Sequence, residues 1–311
     1  AVGLRTAGCG HEPTGSSIVQ SDREGLRMPL CKGTGMDDLK RHFDQLAWPE
    51  AEKAAKQAGA TVIWPFGACE QHGPQLPLAT DALFADRILN SVLEHLDGEW
   101  PIWRLPLQSI GFSPEHQPFP GTLSLSAELM LQLVDQVGGQ LAAMGVERLV
   151  LLNAHGGQIG LLQVAARQLR LRCPSMGVLP CFLWSGVDGL SSLLPPEELA
   201  QGLHAGQAET SLMLHMAPEL VGPSRPVDGD HGPSSPLAPP DGWSLEGAAP
   251  CAWLTSDLSQ SGVIGDARLA SAELGLELEQ ALISHWTQRF KSLLSSDWPP
   301  TESVVDWPRK S

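Results

Sequence analysis

Between residues 61 and 184 the chain alternates short apolar runs with longer stretches whose apolar residues recur every three or four positions. Buried parallel strands and the amphipathic helices that connect them leave this pattern. TVIWPFG (61–67), PIWRLPL (101–107), ERLVLLN (147–153) and MGVLPCFLW (176–184) read as strands. DALFADRILNSVLEHL (81–96), SAELMLQLVDQVGGQLAAMG (126–145) and IGLLQVAARQLR (159–170) read as helices, the second with Ser126 as its N-cap and Gly145 at its end. TSLMLHM (210–216) and AELGLELEQALISHWTQRFKSLL (272–294) complete the helical set. The expected fold class is α/β, a three-layer α/β/α sandwich around a mostly parallel sheet.

The pattern fails at both ends and in one internal segment. Residues 1–36 are rich in Gly, Ser and Thr without either periodicity, and read as a disordered N-terminal extension with no sustained apolar stretch of the signal-peptide kind. Regular structure is expected from Asp37 or Asp38, either of which could cap a helix over LKRHFDQL (39–46). One domain is expected over 37–296, then an irregular tail over 297–311. Pro223 to Pro250 is dense in Pro, Gly and Ser and reads as a long loop.

Composition narrows the partners. The formal charge of −15 and the lack of clustered Lys and Arg argue against nucleic acid, whose phosphates reward such clusters. No uncharged apolar run approaches the roughly 18 residues of a membrane span, so no membrane partner is expected. The six cysteines are scattered without a CxxC pair, and reduced thiols in a cytoplasm are the expectation.

Candidate chemistry gathers just after the strands. Glu70, His72 and Asp81 lie in EQHGPQLPLATD; Asn153 and His155 lie in NAHGGQ; His204 and Glu209 lie in HAGQAETS, which opens a helix. In open α/β sheets, functional groups collect beyond the carboxyl ends of the strands. A single carboxylate or histidine in a Gly/Pro loop is usually a solvated turn residue. Two histidines, two carboxylates and a further Glu on separate Gly-flanked corners instead supply the N and O donors that two divalent ions require. Asn153 reads as a loop-fixing residue, and Cys69 as turned away from the site.

EQHGPQLPLATD, EHQPFPGTLSL (115–125), NAHGGQ and HAGQAETSLML together resemble the creatininase (creatinine amidohydrolase) family, in this order and over roughly residues 40 to 290. The resemblance implies a creatininase-like α/β/α fold carrying a binuclear centre of zinc, manganese or iron that hydrolyses C–N amide bonds. It implies Glu70, His72, Asp81 and His155 as metal ligands, with Asp81 bridging the ions, and His204 as the proton-transfer residue. Creatininase proper takes a further Glu two residues after the histidine of the NGH motif, where this chain has Gly157, and the fifth ligand is therefore assigned to Glu209. His116 and Trp184 are candidate substrate contacts, each with a purely structural reading beside it.

The expected function is hydrolysis of a non-peptide C–N bond in a small cyclic amide or formamide, through a hydroxide bridging two divalent ions, zinc first among them. Two alternatives stand beside it: a maturation peptidase for a short modified peptide, and a binding protein that has kept the fold and lost turnover. The family implies a homo-oligomer, up to a hexamer.

Overall fold

The computed structural model describes residues 41–300. The expectations for residues 1–36, for a cap at Asp37 or Asp38, and for the end of the tail lie outside that range. Within it, β1 (Thr61–Phe66), β2 (Ile102–Arg104), β3 (Arg148–Asn153) and β4 (Gly177–Phe182) form one parallel sheet in the order β2-β1-β3-β4. The helices are α1 (Trp48–Ala55), α2 (Thr80–Glu94), α3 (Ala127–Met144), α4 (Ile159–Arg172), the short α5 (Leu190–Leu193) and α6 (Pro196–Gln201), α7 (Gln207–Met216), the single turn α8 (Thr255–Leu258) and α9 (Ala272–Leu294). A two-residue ribbon, β5 (Val227–Asp228) against β6 (Gly265–Asp266), punctuates the long loop.

The period-two pattern of the strands builds two cores. Ile63, Val150 and Leu152 face α2, α7 and α9, with Phe84, Ile88, Leu212 and Leu282 packed against them. Val62, Trp64, Phe66, Leu149 and Leu151 face α3 and α4 and meet Met130, Val134, Leu162 and Leu169. Alternate side chains of one strand thus enter opposite cores, which is why the central strands are apolar throughout and the fold has three layers. Ser126 Oγ accepts from Leu129 N to start α3, and Gly145, at φ 111°, ends it.

The helix expected over 39–46 is not formed in its described part. His42 instead pairs with Arg104 at the sheet edge, and Phe43–Gln45 makes one 3-10 turn. The first α-helix among the described residues begins at Trp48, because Pro49 lacks the N–H of an interior helical residue and fits only in a first turn.

The strand register positions the site. Phe66 lies beside Asn153, and Asn153 beside Phe182, so β1, β3 and β4 end level. The segment after β2 joins them, with Gln108 bridged to Phe66. All four strand exits open on one edge.

The segment from 223 to 265 is tied down by Asp228. Its Oδ1 accepts from Gly229 N at 2.8 Å, and its Oδ2 from Ser259 Oγ (2.9 Å), Gln260 N (3.0 Å) and Ser261 N (2.8 Å). Burial alone would raise this carboxyl, but the donors of Ser261, Gly229 and Ser259 outweigh it and hold it at about 2. A carboxyl depressed in the folded state stabilises fully above its unfolded value and loses that contribution as pH falls through the folded one. Asp228→Asn is expected to cost about 1–2 kcal/mol at neutral pH. Thermal melts of both proteins should show the gap narrowing between about pH 5 and about pH 2.5; a constant gap contradicts the assignment.

Candidate metal centre

The turn after β1 brings its side chains back over the sheet edge. Glu70 N donates to Leu78 O at 3.0 Å, closing the loop, and α2 starts at once with Asp81 in its first turn, where the helix dipole favours an anion. The closure needs Gly67: a Cβ there would lie 2.4 Å from Ala82 Cα. After β3, Asn153 fixes the next corner, its Nδ2 donating to His155 O (2.7 Å) and its Oδ1 accepting from His155 N (2.9 Å). His204 is held by a main-chain bridge to Ile264, one residue before Ala205, the only described non-glycine at positive φ (53°).

Glu70, His72, Asp81, His155 and His204 are all buried, and Glu209 is half-buried. Asp81 stands at the centre, with Oδ1 3.3 Å from His72 Nε2 and Oδ2 3.2 Å from His155 Nδ1. Glu70 Oε1 is 3.0 Å from that same His155 Nδ1. Two ligand-like groups result, Glu70–Asp81–His155 and His72–His204–Glu209. A third, Glu70–His116–His204, lies beside them.

Hydrogen bonds on the far sides of the rings decide what these histidines present. His155 Nε2 faces Phe112 O at 3.1 Å and Glu115 Oε1 at 3.2 Å, so that nitrogen carries the proton. His72 Nδ1 faces Glu70 O at 3.2 Å, with the same result. With the outer nitrogens protonated, the inner nitrogen of each ring faces Asp81, and in the neutral ring it is a lone pair set against carboxylate oxygens that are also acceptors. Glu70 Oε1 and Oε2, His72 Nε2 and Asp81 Oδ2 are buried without a hydrogen-bond partner. Acceptors facing acceptors in a buried pocket need a cation between them, so the donor set fits divalent metal.

The titration behaviour expresses the same demand. Burial works against a charged His72, yet Asp81 outweighs it and lifts the ring to about 9. His155 is raised well above its usual value against burial, chiefly by Glu70 and Asp81. Asp81 is held far below the carboxylate range by His72 and His155 despite its burial, whereas burial raises Glu70. Burial also lifts Glu209 to about 7 and pushes His116 down to about 3 and His204 well below its ordinary value.

The sequence reading missed one carboxylate. Glu115 arrives from the segment after β2, and a Cβ on Gly157 would lie 1.7 Å from its Oε1. The room above Gly157 is thus filled by a side chain from another strand exit. The signal was present in EHQPFPGTLSL, where Glu115 directly precedes His116. Glu209 Oε2 accepts from Ala205 N at 2.6 Å just before α7, the structural role the sequence also offered, and its carboxylate lies in one ligand-like group with His72 and His204. His116 and Trp184 both line the cavity over the cluster, Trp184 edge-on to Phe84 with ring centroids 5.9 Å apart. Cys69 is not among the lining residues.

A parallel α/β sheet whose strand exits converge on a buried histidine and carboxylate cluster is the architecture of an α/β protein with a candidate metal site. The chain belongs to the creatininase family, a family of hydrolases: residues 44–290 match the family described as creatinine amidohydrolase. It is 33% identical over 235 residues to a mycofactocin precursor peptide peptidase of Mycobacterium tuberculosis, covering 74% of this chain and 84% of that protein. It is 27% identical over 271 residues to the creatinine amidohydrolase of Pseudomonas putida, covering 83% and 97%. A crystal structure of creatinine amidohydrolase (creatininase) superposes with a TM-score of 0.66 at 25% identity, over 84% of this chain and 99% of that one.

With metal at the inner nitrogen of His155, Glu115 would be the outer carboxylate behind it, and removing such partners typically weakens metal binding about 10–100-fold. Glu115→Ala should lower zinc affinity by that factor in competition titrations with a chelating dye while the protein stays folded. Unchanged affinity would show that His155 is oriented without it.

Proposed function

We propose that the protein is a metal-dependent hydrolase of a C–N amide bond and that the amide belongs to a short peptide. The observation that carries this reading is the cavity over the cluster, about 550 Å³, several times the volume of a small ring amide. Glu70, Asp81, His155 and His204 form its polar floor, and apolar side chains from two segments form its walls: Trp184, Leu194 and Leu203 from one, Leu245, Trp253 and Leu254 from the other. Such walls suit a substrate with bulk on either side of the scissile bond. The 33% identity to peptide peptidases supports the same choice. A small cyclic amide or formamide is the second reading, supported by the similarity to creatinine amidohydrolase.

In this reading Glu70, Asp81 and His155 would hold one divalent ion, and His72 and Glu209, with Asp81 between the two groups, would hold the second. Zinc is the first candidate, with manganese and iron beside it. Ions bound there lower the pKa of water and polarise a carbonyl. His204 Nε2 donates to Gln71 O at 2.7 Å, which leaves Nδ1 as a lone pair facing the floor. That nitrogen takes the proton of the attacking water and returns it to the departing amide nitrogen. The walls fix the substrate and limit water around the scissile bond. Assembly as a homo-oligomer, up to a hexamer, and a cytoplasmic location complete the proposal; light scattering that finds a monomer would refute the assembly.

Elemental analysis should find about two divalent ions per chain. Asp81→Ala should lose both ions and activity together, His204→Ala should keep metal and lose turnover, and Glu209→Gln should lower occupancy toward one ion. Equal metal loss in the Asp81 and His204 variants would make His204 a ligand. Reloaded protein assayed on short peptides, cyclic amides and formamides separates the two substrate readings, with peptide turnover expected and ring-opening alone contradicting it.

A further inference from the structure

Gln71 lies between Glu70 and His72, is 5% exposed, and spends its polar atoms on parts of the site that those two residues do not hold. Its Oε1 accepts from Gly73 N at 2.9 Å, and its Nε2 donates to Gly262 O at 3.0 Å. A main-chain N–H only donates and a carbonyl only accepts, so these two partners fix which end of the amide is oxygen and which is nitrogen. The close approach to Gly262 depends on glycine: its φ is +87°, and a Cβ there would lie 1.9 Å from Gln71 Oε1.

Gln71 Nε2 is also 2.9 Å from His116 Nδ1. An amide nitrogen has only protons to offer, so His116 Nδ1 accepts and the ring carries its proton on Nε2. Thr255 Oγ1, 2.7 Å from the same Nδ1, is a hydroxyl that donates in the same sense. His204 has its Nε2 proton on Gln71 O. The two rings stack with centroids 4.1 Å apart and planes at 30°. They share one tautomer but turn opposite ends to the floor: His204 offers a bare Nδ1, 4.0 Å from Glu70 Oε1, and His116 offers Nε2–H, 3.5 Å from that oxygen.

We propose that Gln71 is a positioning residue that fixes His116 as a neutral Nε2–H donor to the substrate carbonyl oxygen, while its main chain fixes His204 as the base. The inference rests on the amide-hydrolase reading. His116 Nε2 lies 3.5 Å from Glu70 Oε1 and 3.9 Å from Glu115 Oε1, longer than a normal hydrogen bond to either carboxylate, so its proton remains free for a ligand in the cavity. As the water oxygen bonds to the carbonyl carbon, its proton passes to His204 Nδ1 and then to the amide nitrogen as the C–N bond breaks. His116 keeps its proton throughout and donates a hydrogen bond to the carbonyl oxygen as that oxygen gains charge. The same constraint removes His116 Nε2 from the metal ligands, although it lies in a ligand-like group with Glu70 and His204.

Long-range ¹H–¹⁵N spectra of the zinc-loaded full chain read the imidazole tautomers directly, with His116 and His204 assigned by their loss in His116→Asn and His204→Asn. Both rings are expected to carry a proton on Nε2 and none on Nδ1. Protonation of His116 on Nδ1, on both nitrogens, or ligation of zinc by its Nε2 overturns the proposal whether or not amides are hydrolysed. In kinetics, Gln71→Met retains the Thr255 donor and should lose less than the double variant Gln71→Met with Thr255→Val. The double variant should keep its two ions and its KM and lose roughly 100-fold in kcat. An unchanged kcat in the double variant also overturns it, whereas no amide turnover by the unmodified protein overturns the reading beneath it.

Discussion

Asp81 is held between two imidazole rings whose inner nitrogens both face its carboxylate, and the rest of the site is built to keep that arrangement in place. A carboxylate buried between lone pairs is untenable without positive charge, so the pocket must gather protons or metal ions. His72 and His155 could answer with protons, as their raised pKa values indicate. Their outer nitrogens are nevertheless already committed to acceptors, Glu70 O for His72 and Phe112 O with Glu115 for His155. That commitment leaves the inner nitrogens as the positions from which the proposed metal would be held.

The fold delivers this arrangement by ending its strands level. β1 supplies Glu70 and His72, the segment after β2 supplies Glu115 and His116, β3 supplies His155 and β4 supplies Trp184, all on one sheet edge. His204 and Glu209 come from outside the sheet, at the entry to α7, and reach the cluster because the Ile264 bridge and Gln75 Nε2 on Ala205 O hold that turn against it. The two apolar cores on either side make the sheet rigid where the ligands leave it. A site built on strand ends rather than on a free loop keeps its donor atoms fixed before a ligand arrives.

Strands and long helices were legible because their apolar periods run uninterrupted: β1, β3, α3 and α9 fall where their patterns place them. The stretch 39–46 misled because its apolar spacing suits a helix, whereas in its described part His42 bridges to Arg104 at the sheet edge and the helix waits until Trp48, with Pro49 in its first turn. In the site, residues separated by short spacings in one motif could be grouped from the sequence. Glu115 was legible only as the neighbour of His116; its relation to Gly157 is a packing relation between segments 42 positions apart, visible only when both occupy one volume. Gln71 was hidden for a different reason: an uncharged amide between two candidate ligands gives no chemical signal until its hydrogen-bond partners are known.

The proposed chemistry depends on Asp81 serving both halves of the cluster, one carboxylate oxygen facing His72 and the other His155. Anomalous diffraction from crystals of the metal-loaded protein tests that most directly. Two peaks are expected, one within ligand distance of Asp81 Oδ2 and His155 Nδ1 and the other of Asp81 Oδ1 and His72 Nε2, about 3.5–4 Å apart. A single peak, or a pair of which one lies away from Asp81, would contradict the account.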